Sequence, residues 1–319
     1  MDLDLFGHKR GPKTVHLSVF CDERKIPPRQ SPLPQEWTYI CLVLIPDACL
    51  DQALQKLQDV REKHGYQGEV AFRKVWAPSR RSQITAVAKD WLLLLKAETG
   101  MFYWYVLGVA RHNLNFACFG PGDDPTGKYA NIYNRFFRTA FLGAVNSFFS
   151  NCRAVRITNI FHDCEGNLQA HQYFDWHLEW KVSDSRVSFG AKKIVFVCSD
   201  HQKETAYPHA SHVVQLSDVL IGAVSQCLDD LSAKPGKNEV ADVVCPVLQS
   251  MMGDARGTAR GGGAAPRTCS ISFFPSKKLS NQELANELSR ASSTFFRRRR
   301  LLMCERRAGL TPLPGVECG

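Results

Sequence analysis

The chain has 319 residues, of which 44% are hydrophobic, and a formal net charge of +9. This length and apolar content are enough for one large domain with a buried core. No apolar run reaches the roughly 18 residues that span a bilayer. The charged N-terminal segment also lacks the apolar stretch of a secretory signal. The composition therefore argues against a membrane or exported protein, and we expect a cytoplasmic one.

The positive charge is concentrated in the C-terminal part of the chain. From Gly253 onward there are 12 Lys and Arg and 5 Asp and Glu, which leaves a net charge of only +2 for residues 1–252.

The 12 cysteines are scattered without any CxxC pair. Several lie in apolar stretches, among them Cys41, Cys198 and Cys227. This pattern predicts free thiols in a reducing compartment rather than a zinc knuckle or a disulfide framework.

Strand-like and helical segments alternate along the first 231 residues. Segments rich in β-branched and aromatic residues predict strands at 15–21, 37–45, 101–110, 155–161 and 193–198. Helical periodicity of apolar residues predicts helices at 47–64, 82–97, 129–149 and 215–231. This order indicates an α/β fold with a mixed sheet, helices on both of its faces, and the first two strands joined as a hairpin.

A domain boundary is predicted near Met252. Residues 253–267 have the glycine-rich composition of a flexible linker. The remaining residues, 268–319, predict a short strand at 270–274 and a basic helix that starts at Asn281, so the domain carries a basic C-terminal appendage. That helix reaches a run of arginines that are candidate contacts to a nucleic-acid backbone, namely Arg297, Arg298, Arg299 and Arg300. The alternative is a solvated helix end whose arginines complement the helix dipole.

Acidic residues follow two of the predicted strands. Asp22 and Glu23 come directly after the strand that ends at Cys21, and Asp163 comes shortly after the strand that ends at Phe161. If these two strands are parallel neighbours, their ends lie about 5 Å apart, and the carboxylates can share a hard cation such as Mg²⁺ or Mn²⁺. The alternative for each residue is a solvated acid that begins a loop.

Asp218 is nearly surrounded by apolar positions on the last predicted helix. A carboxylate is costly to bury there without a partner. Gly222 and Ser225 follow on its own face, which predicts a close approach of this helix to the sheet. The alternative is a helix N-cap or a first-turn acid stabilised by the helix dipole. Glu69, between a glycine turn and a short strand, is a fourth candidate or else a surface residue.

These acidic segments resemble the family called domain of unknown function 3800, which is grouped with ribonuclease-H-like folds. The likeness covers about residues 14–232. Three segments are similar to the family's first strand, middle strand and closing helix, namely Phe20-Cys21-Asp22-Glu23, Ile160-Phe161-His162-Asp163 and Gln215-Leu216-Ser217-Asp218 with Gly222. Two departures accompany them. Arg24 replaces a serine of the family's first motif, and the Glu-x-Lys-like element resembles Glu69 with Arg73 or Lys74 at a different spacing.

The resemblance implies a ribonuclease-H-like domain at residues 1–252 with four catalytic acids, Asp22, Glu69, Asp163 and Asp218. It also implies that Asp22, Asp163 and Asp218 bind Mg²⁺ or Mn²⁺. Such a cluster suits two-metal hydrolysis of the phosphodiester bonds of nucleic acid. In that fold a carboxylate usually comes from the helix before the middle strand. Residues 128–151 contain no acid, so either Glu69 substitutes for it or the cluster is incomplete.

Three other interpretations remain open at this point. The chain can be a non-catalytic binding or scaffold protein that keeps the fold, for example in a defence or mobile-element system. The segment from Gly122 to Lys128 has the glycine and lysine spacing of a phosphate loop, but Tyr129 stands where the hydroxyl of a Ser or Thr should bind magnesium. Histidines near the acids are candidates for proton transfer or for zinc binding, namely His162 and His171 for the former and His201, His209 and His212 for the latter.

Overall fold

The computed structural model describes residues 14–26, 37–119, 125–164, 184–191, 193–253, 268–275, 277–284 and 301–303. Within these ranges the chain forms one seven-stranded sheet and five long α-helices, and residues 281–284 and 302–303 are also helical, so the helix predicted from Asn281 begins there. The strands are β1 (Thr14–Ile26), β2 (Trp37–Pro46), β3 (Tyr103–Ala110), β4 (Ala154–Asp163), β5 (Val187–Phe189), β6 (Val195–Val197) and β7 (Cys269–Phe274). The helices are α1 (Leu50–Lys63), α2 (Gln83–Ala97), α3 (Pro125–Phe148), α4 (Pro208–Asp229) and α5 (Pro235–Gly253).

The sheet is mixed. Its strand order is β5-β4-β1-β2-β3-β7, and β6 pairs with β4 at the end of β4 away from β5. Strands β1, β2 and β3 are antiparallel neighbours, whereas β4 runs parallel to β1 and β7 runs parallel to β3. The predicted α/β class, the mixed sheet with flanking helices and the antiparallel pairing of the first two strands are confirmed. In the part of the chain that the structure describes, no helix is long and apolar enough to cross a membrane.

Hydrophobic cores lie on both faces of the sheet. One core contains side chains of α1, α2, α4 and α5, and the other contains those of α3. The alternation along β1 divides its side chains between them, since Val19 and Cys21 face α3 and Phe20 faces α4. The strands are therefore nearly continuous apolar runs, as expected for a sheet that is covered on both faces.

The helices after β6 differ from the prediction. Helix α4 begins at Pro208, seven positions before the predicted start. The prediction misses its first two turns because polar residues and histidines there interrupt the apolar pattern. Helix α5 is absent from the prediction. Its apolar side chains nevertheless recur at helical spacing and enter the core, namely Val240, Ala241, Val244 and Leu248. It also contains an internal proline, Pro246, a residue that normally argues against a helix interior.

The C-terminal part of the chain contributes to the same sheet. The expected strand is present as β7, and it pairs with β3 along six residues. Leu284, Leu301 and Met303 are also buried in the two cores. Of the predicted linker only Gly253 is described, as the last residue of α5. The arginines at 297–300 lie outside the described residues.

Most of the described cysteines are free thiols, as predicted. Cys41 and Cys227 are buried, and Cys198 is partly exposed. Cys245 of α5 is an exception, because it is disulfide-bonded. The prediction of free thiols throughout is therefore wrong at this position.

Candidate acidic site

One cavity of about 410 Å³ collects the four acids that the sequence singles out. They come from three elements and one loop that are far apart in the sequence. The lining residues are Asp22, Glu23, Glu69, Val70, Ala71, Arg73, Asp163, Cys164, Ser199, Gln215 and Asp218.

Asp22 and Asp163 reach the cavity from neighbouring parallel strands. Strand β1 extends to Ile26, so Asp22 lies within the strand rather than after it, and Asp163 is the last residue of β4. Cys21 pairs with His162, which places the next residue of each strand side by side, about 5 Å apart. Asp22 is buried, and its Oδ1 accepts a hydrogen bond from the Glu23 N–H at 2.8 Å.

A β-bulge puts these two aspartates on the same face of the sheet. Leu17 pairs with Ile157, but the next residue, Ser18, pairs with Asn159, so Thr158 is an extra residue in β4. Before the bulge, odd-numbered residues of β4 such as Ile157 face α3, whereas after it Phe161 faces α4. Phe161 stacks on Phe20 with a centroid distance of 5.3 Å. Two residues further along each strand, Asp163 and Asp22 therefore share the face that α4 covers.

Asp218 lies in the middle of α4. The helix begins ten positions earlier, at Pro208, so the alternative of an N-cap or a first-turn acid is wrong. The Oδ2 atom of Asp218 accepts a hydrogen bond of 2.8 Å from the backbone N–H of Phe72. Burial raises the pKa of Asp218 above the usual range of an aspartate, although the Phe72 N–H and the charge of Arg24 oppose this shift. Keeping Asp218 in its charged form therefore costs folding free energy.

Gly222 makes the contact between Asp218 and Phe72 possible. A Cβ atom at Gly222 would lie 2.2 Å from the Phe72 ring. The sequence predicts that α4 approaches the sheet closely, and α4 does pack against β1 and β2. Gly222 itself faces the short 3₁₀ turn at Phe72–Lys74. This turn is held against the helix, which fixes the loop that carries Glu69.

The loop that carries Glu69 is also held by two buried side chains. Arg61 of α1 donates to the carbonyl oxygen of Gly68 at 2.7 Å and to the side-chain oxygen of Gln215. The same Gln215 oxygen accepts from the Val70 N–H at 2.9 Å. Burial lowers the pKa of Arg61 to about 10, which leaves the guanidinium charged at neutral pH. No sequence pattern indicates this role of Arg61, since a basic residue on an amphipathic helix is normally solvated.

Glu69 is engaged by hydrogen bonds and basic side chains at the cavity wall. Its Oε1 accepts from the Ser199 hydroxyl at 3.0 Å, and its Oε2 lies 2.6 Å from the Lys74 ammonium and 3.5 Å from the Arg73 guanidinium. Burial opposes the ionisation of Glu69. The hydrogen bonds from Lys74 and Ser199 outweigh burial and hold its pKa below that of an ordinary glutamate.

Arg24 brings a positive charge close to the aspartates. It interacts electrostatically with Asp218 and Asp22, and its guanidinium lies over the Phe72 ring at 5.3 Å from the centroid. Burial lowers its pKa, and the neighbouring carboxylates oppose that shift. Arg24 occupies the position at which this chain departs from the family motif. The site therefore combines carboxylates with basic groups.

In the described residues, a metal site with three side-chain ligands is not formed. Among them, no group of three or more His, Cys, Asp or Glu side chains is arranged to hold one. This applies to the predicted set of Asp22, Asp163 and Asp218 as well as to His201 and His212, whose rings are 4.6 Å apart. Of the phosphate-loop segment, residues 122–124 lie outside the described residues, and residues 125–128 form the first turn of α3.

His162 is a buried residue of the opposite face. Its Nδ1 donates to the carbonyl oxygen of Asp163 at 2.8 Å, and its Nε2 lies 2.7 Å from the Tyr133 hydroxyl and 3.4 Å from the Glu23 carboxylate. These contacts are those of a hydrogen-bonded core histidine, and the residue does not line the cavity. The second candidate for proton transfer, His171, lies outside the described residues.

No protein-family model matches the chain, and no curated protein matches it.

Proposed function

We propose that this chain is a ribonuclease-H-like nuclease or phosphodiesterase that acts on nucleic acid and depends on Mg²⁺ or Mn²⁺. The observation that carries the proposal is the convergence of Asp22, Glu69, Asp163 and Asp218 on one cavity. Three antiparallel strands followed by a parallel one, with acids at adjacent positions of β1 and β4, are consistent with the fold that the resemblance implies.

The carboxylates suit Mg²⁺, because this cation does not need a complete shell of protein ligands. Mg²⁺ keeps several waters and is commonly bound by one or two carboxylates together with substrate phosphates. The adjacent pair of Asp22 and Asp163 meets this requirement without a third side-chain ligand, and Asp218 lines the same cavity. A divalent cation bound there supplies Lewis-acid polarisation of a phosphoryl oxygen and activation of water.

The basic residues at the cavity provide contacts for the substrate. Arg73 lines the cavity and is exposed, and Lys74 is half-exposed beside it. Both already pair with Glu69, so a phosphate that enters the cavity would meet cations held in place by that carboxylate. A guanidinium binds phosphate in a bidentate manner, and an ammonium binds it as a point charge.

The same basic residues favour one alternative function. Lys74 and Arg73 neutralise Glu69, and Arg24 is close to Asp218 and Asp22. Internal pairing of this kind is what a non-catalytic binding or scaffold protein needs to keep buried acids without a metal. The two functions differ in whether the cavity binds a divalent cation and whether nucleic acid is cleaved.

A cleavage assay on the full chain tests the proposal. We expect cleavage of at least one substrate in a panel of single- and double-stranded DNA and RNA, with Mg²⁺ or Mn²⁺ and not with Ca²⁺ alone or EDTA. Asp218→Asn and Asp163→Asn should each reduce the rate by about 100-fold or more, since each removes charge at the site of the cation.

The matched control is Asp59→Asn, which neutralises an exposed acid of α1 whose carboxylate accepts from Gln55. It should leave the rate unchanged. Cleavage that persists in EDTA would rule out a metal-dependent nuclease, and cleavage that is unaffected by Asp218→Asn would rule out the acidic cavity as its active site.

A further inference from the structure

An exposed tryptophan stands beside the acidic cavity. Trp76 keeps 59% of its surface exposed, more than the two other large apolar side chains that are exposed in the described ranges, Leu93 and Tyr207. It lies three positions after Arg73, which lines the cavity, and its indole Nε1 donates to the Arg73 carbonyl oxygen at 2.6 Å. The indole is thus fixed at the rim of the site.

The backbone that carries Trp76 is anchored at several points. The Gly236 N–H donates to the Trp76 carbonyl at 2.9 Å, and the Thr85 hydroxyl donates to the Ala77 carbonyl at 2.8 Å. A Cβ atom at Gly236 would lie 2.3 Å from the Ala77 carbonyl oxygen, so α5 begins in direct contact with this loop. These contacts hold the loop that carries Trp76, so a large part of the indole is presented to solvent next to the cavity-lining Arg73.

Basic residues flank the indole in the sequence, and one basic side chain contacts its ring. The segment from Arg73 to Arg81 contains four basic residues and no acid. Arg73, Arg80 and Arg81 are exposed. Lys234, which directly precedes α5, is also exposed, and its ammonium lies over the Trp76 ring at 4.9 Å from the ring centroid. Together these residues form what we call the Trp76 patch, namely Arg73, Trp76, Arg80, Arg81 and Lys234.

We infer that the Trp76 patch binds single-stranded nucleic acid and leads it to the acidic cavity. This inference rests on the proposed function for its biological meaning, because it names the strandedness of the substrate. An aromatic ring among cations matches a nucleotide, since a base stacks on the ring and the phosphates contact the cations. Only an unstacked base offers its face to an indole, so a single strand fits the patch and a duplex does not. DNA and RNA share this chemistry.

The test is a binding measurement on the full chain in EDTA, where metal-dependent cleavage does not occur. Labelled oligonucleotides of about 15 residues, oligo-dT, oligo-U and a duplex of the same length, are titrated by fluorescence anisotropy. We expect the two single strands, or one of them, to bind more tightly than the duplex. Trp76→Ala should weaken that binding roughly 5- to 150-fold, the effect of losing one stacked base. Trp76→Phe, which keeps an aromatic ring, should restore most of it.

The matched controls separate stacking from general effects. Leu93→Ala removes another exposed apolar side chain and should leave the affinity unchanged. Arg80→Gln with Arg81→Gln should reduce the slope of log affinity against log salt by about 0.7 for each phosphate that is no longer bound. Equal affinity of Trp76→Ala and the unaltered chain, tighter binding of the duplex, or no binding of either single strand would overturn the inference.

The outcomes for the two proposals are distinguishable. A chain that binds single strands through Trp76 but cleaves nothing with Mg²⁺ retains the binding surface and refutes the nuclease. A chain that cleaves with Mg²⁺ but binds equally well after Trp76→Ala retains the nuclease and refutes the binding surface.

Discussion

Asp218 and Glu69 line the same cavity, but their surroundings shift their pKa values in opposite directions. Burial raises the pKa of Asp218. For Glu69, the hydrogen bonds from Lys74 and Ser199 overcome burial and lower the pKa. Because a raised carboxyl pKa means that the folded state prefers the protonated form, the charge of Asp218 opposes folding at neutral pH, whereas the charge of Glu69 favours it.

We therefore expect opposite effects of neutralising these two residues. Asp218→Asn should increase the free energy of unfolding at pH 7, by about 1.4 kcal/mol for each unit by which its pKa is raised. This gain should shrink as the pH falls toward the ordinary aspartate value of 3.8. Glu69→Gln should decrease stability at pH 7 by about 1 kcal/mol or less, because Lys74 is half-exposed. That loss should vanish as the pH falls below the ordinary glutamate value of 4.5.

Urea denaturation of the two variants and the unaltered chain between about pH 3 and pH 8 measures these differences. A loss of stability in Asp218→Asn at pH 7 would show that Arg24 and the Phe72 N–H satisfy the charge of Asp218, and that this charge does not oppose folding.

Single residues also mark the limit of what the sequence can predict. All four acids are identifiable from their positions beside apolar segments, and each lies at the cavity. The partners that hold Glu69 in place are not identifiable in this way, because Arg61 and Ser199 come from distant segments and carry no local pattern. The basic-aromatic run around Trp76 is visible in the sequence, but exposure of the ring is not.

At the level of elements, the bulge in β4 decides which face of the sheet receives Asp163. The Thr158 hydroxyl lies 2.9 Å from the Leu17 carbonyl oxygen and 2.9 Å from the Asp47 carboxylate. Ser18 donates to the same carboxylate oxygen at 2.9 Å. A bulge changes the parity of every later residue in the strand. A regular β4 would therefore have pointed Asp163 toward α3, away from Asp218.

We expect Thr158→Val to lower stability by about 1–2 kcal/mol, because it removes the hydrogen that the hydroxyl shares between Leu17 and Asp47. The change should also slow metal-dependent cleavage, since the bulge orients Asp163. Thr38→Val on β2 is the matched control, because the buried Thr38 hydroxyl has no hydrogen-bond partner in the described part of the chain. The control should be neutral or stabilising.

Thermal unfolding and single-turnover rates of both variants check this prediction. If Thr158→Val unfolds and cleaves like the unaltered chain, the hydroxyl does not maintain the bulge.

The elements show why the sheet is more predictable than its details. The order of strands and helices follows from apolar periodicity, which local sequence records. The bulge depends on hydrogen bonds between β1, β4 and Asp47, which are distant in sequence. Helix α5 escapes prediction although its apolar spacing is helical, because Pro246 interrupts the pattern. The shared face of Asp22 and Asp163 is thus expected from strand ends, but its physical cause is the bulge.

At the level of the whole molecule, two strands, α4 and one loop bring the acids together, and basic groups lie around them. Strand β7 extends the sheet at the β3 edge, on the other side of β2 and β1 from β4 and its Asp163. The near-neutral charge of residues 1–252 conceals a local separation, with carboxylates in the cavity and cations at its rim. Under the proposed function, this separation would attract a polyanion to the rim and leave the cavity for a divalent cation.

The central claim is that Asp22 and Asp163 bind a divalent cation in this cavity. Titration of the full chain with Mn²⁺, following the free-ion signal by electron paramagnetic resonance, measures that binding without any substrate. We expect the chain to bind Mn²⁺ in competition with Mg²⁺, and Asp163→Asn or Asp22→Asn to weaken binding by about 10-fold or more. Asp59→Asn should bind as the unaltered chain does. Absence of Mn²⁺ binding, or equal binding by Asp163→Asn, would contradict the claim and leave the paired acids with a structural role.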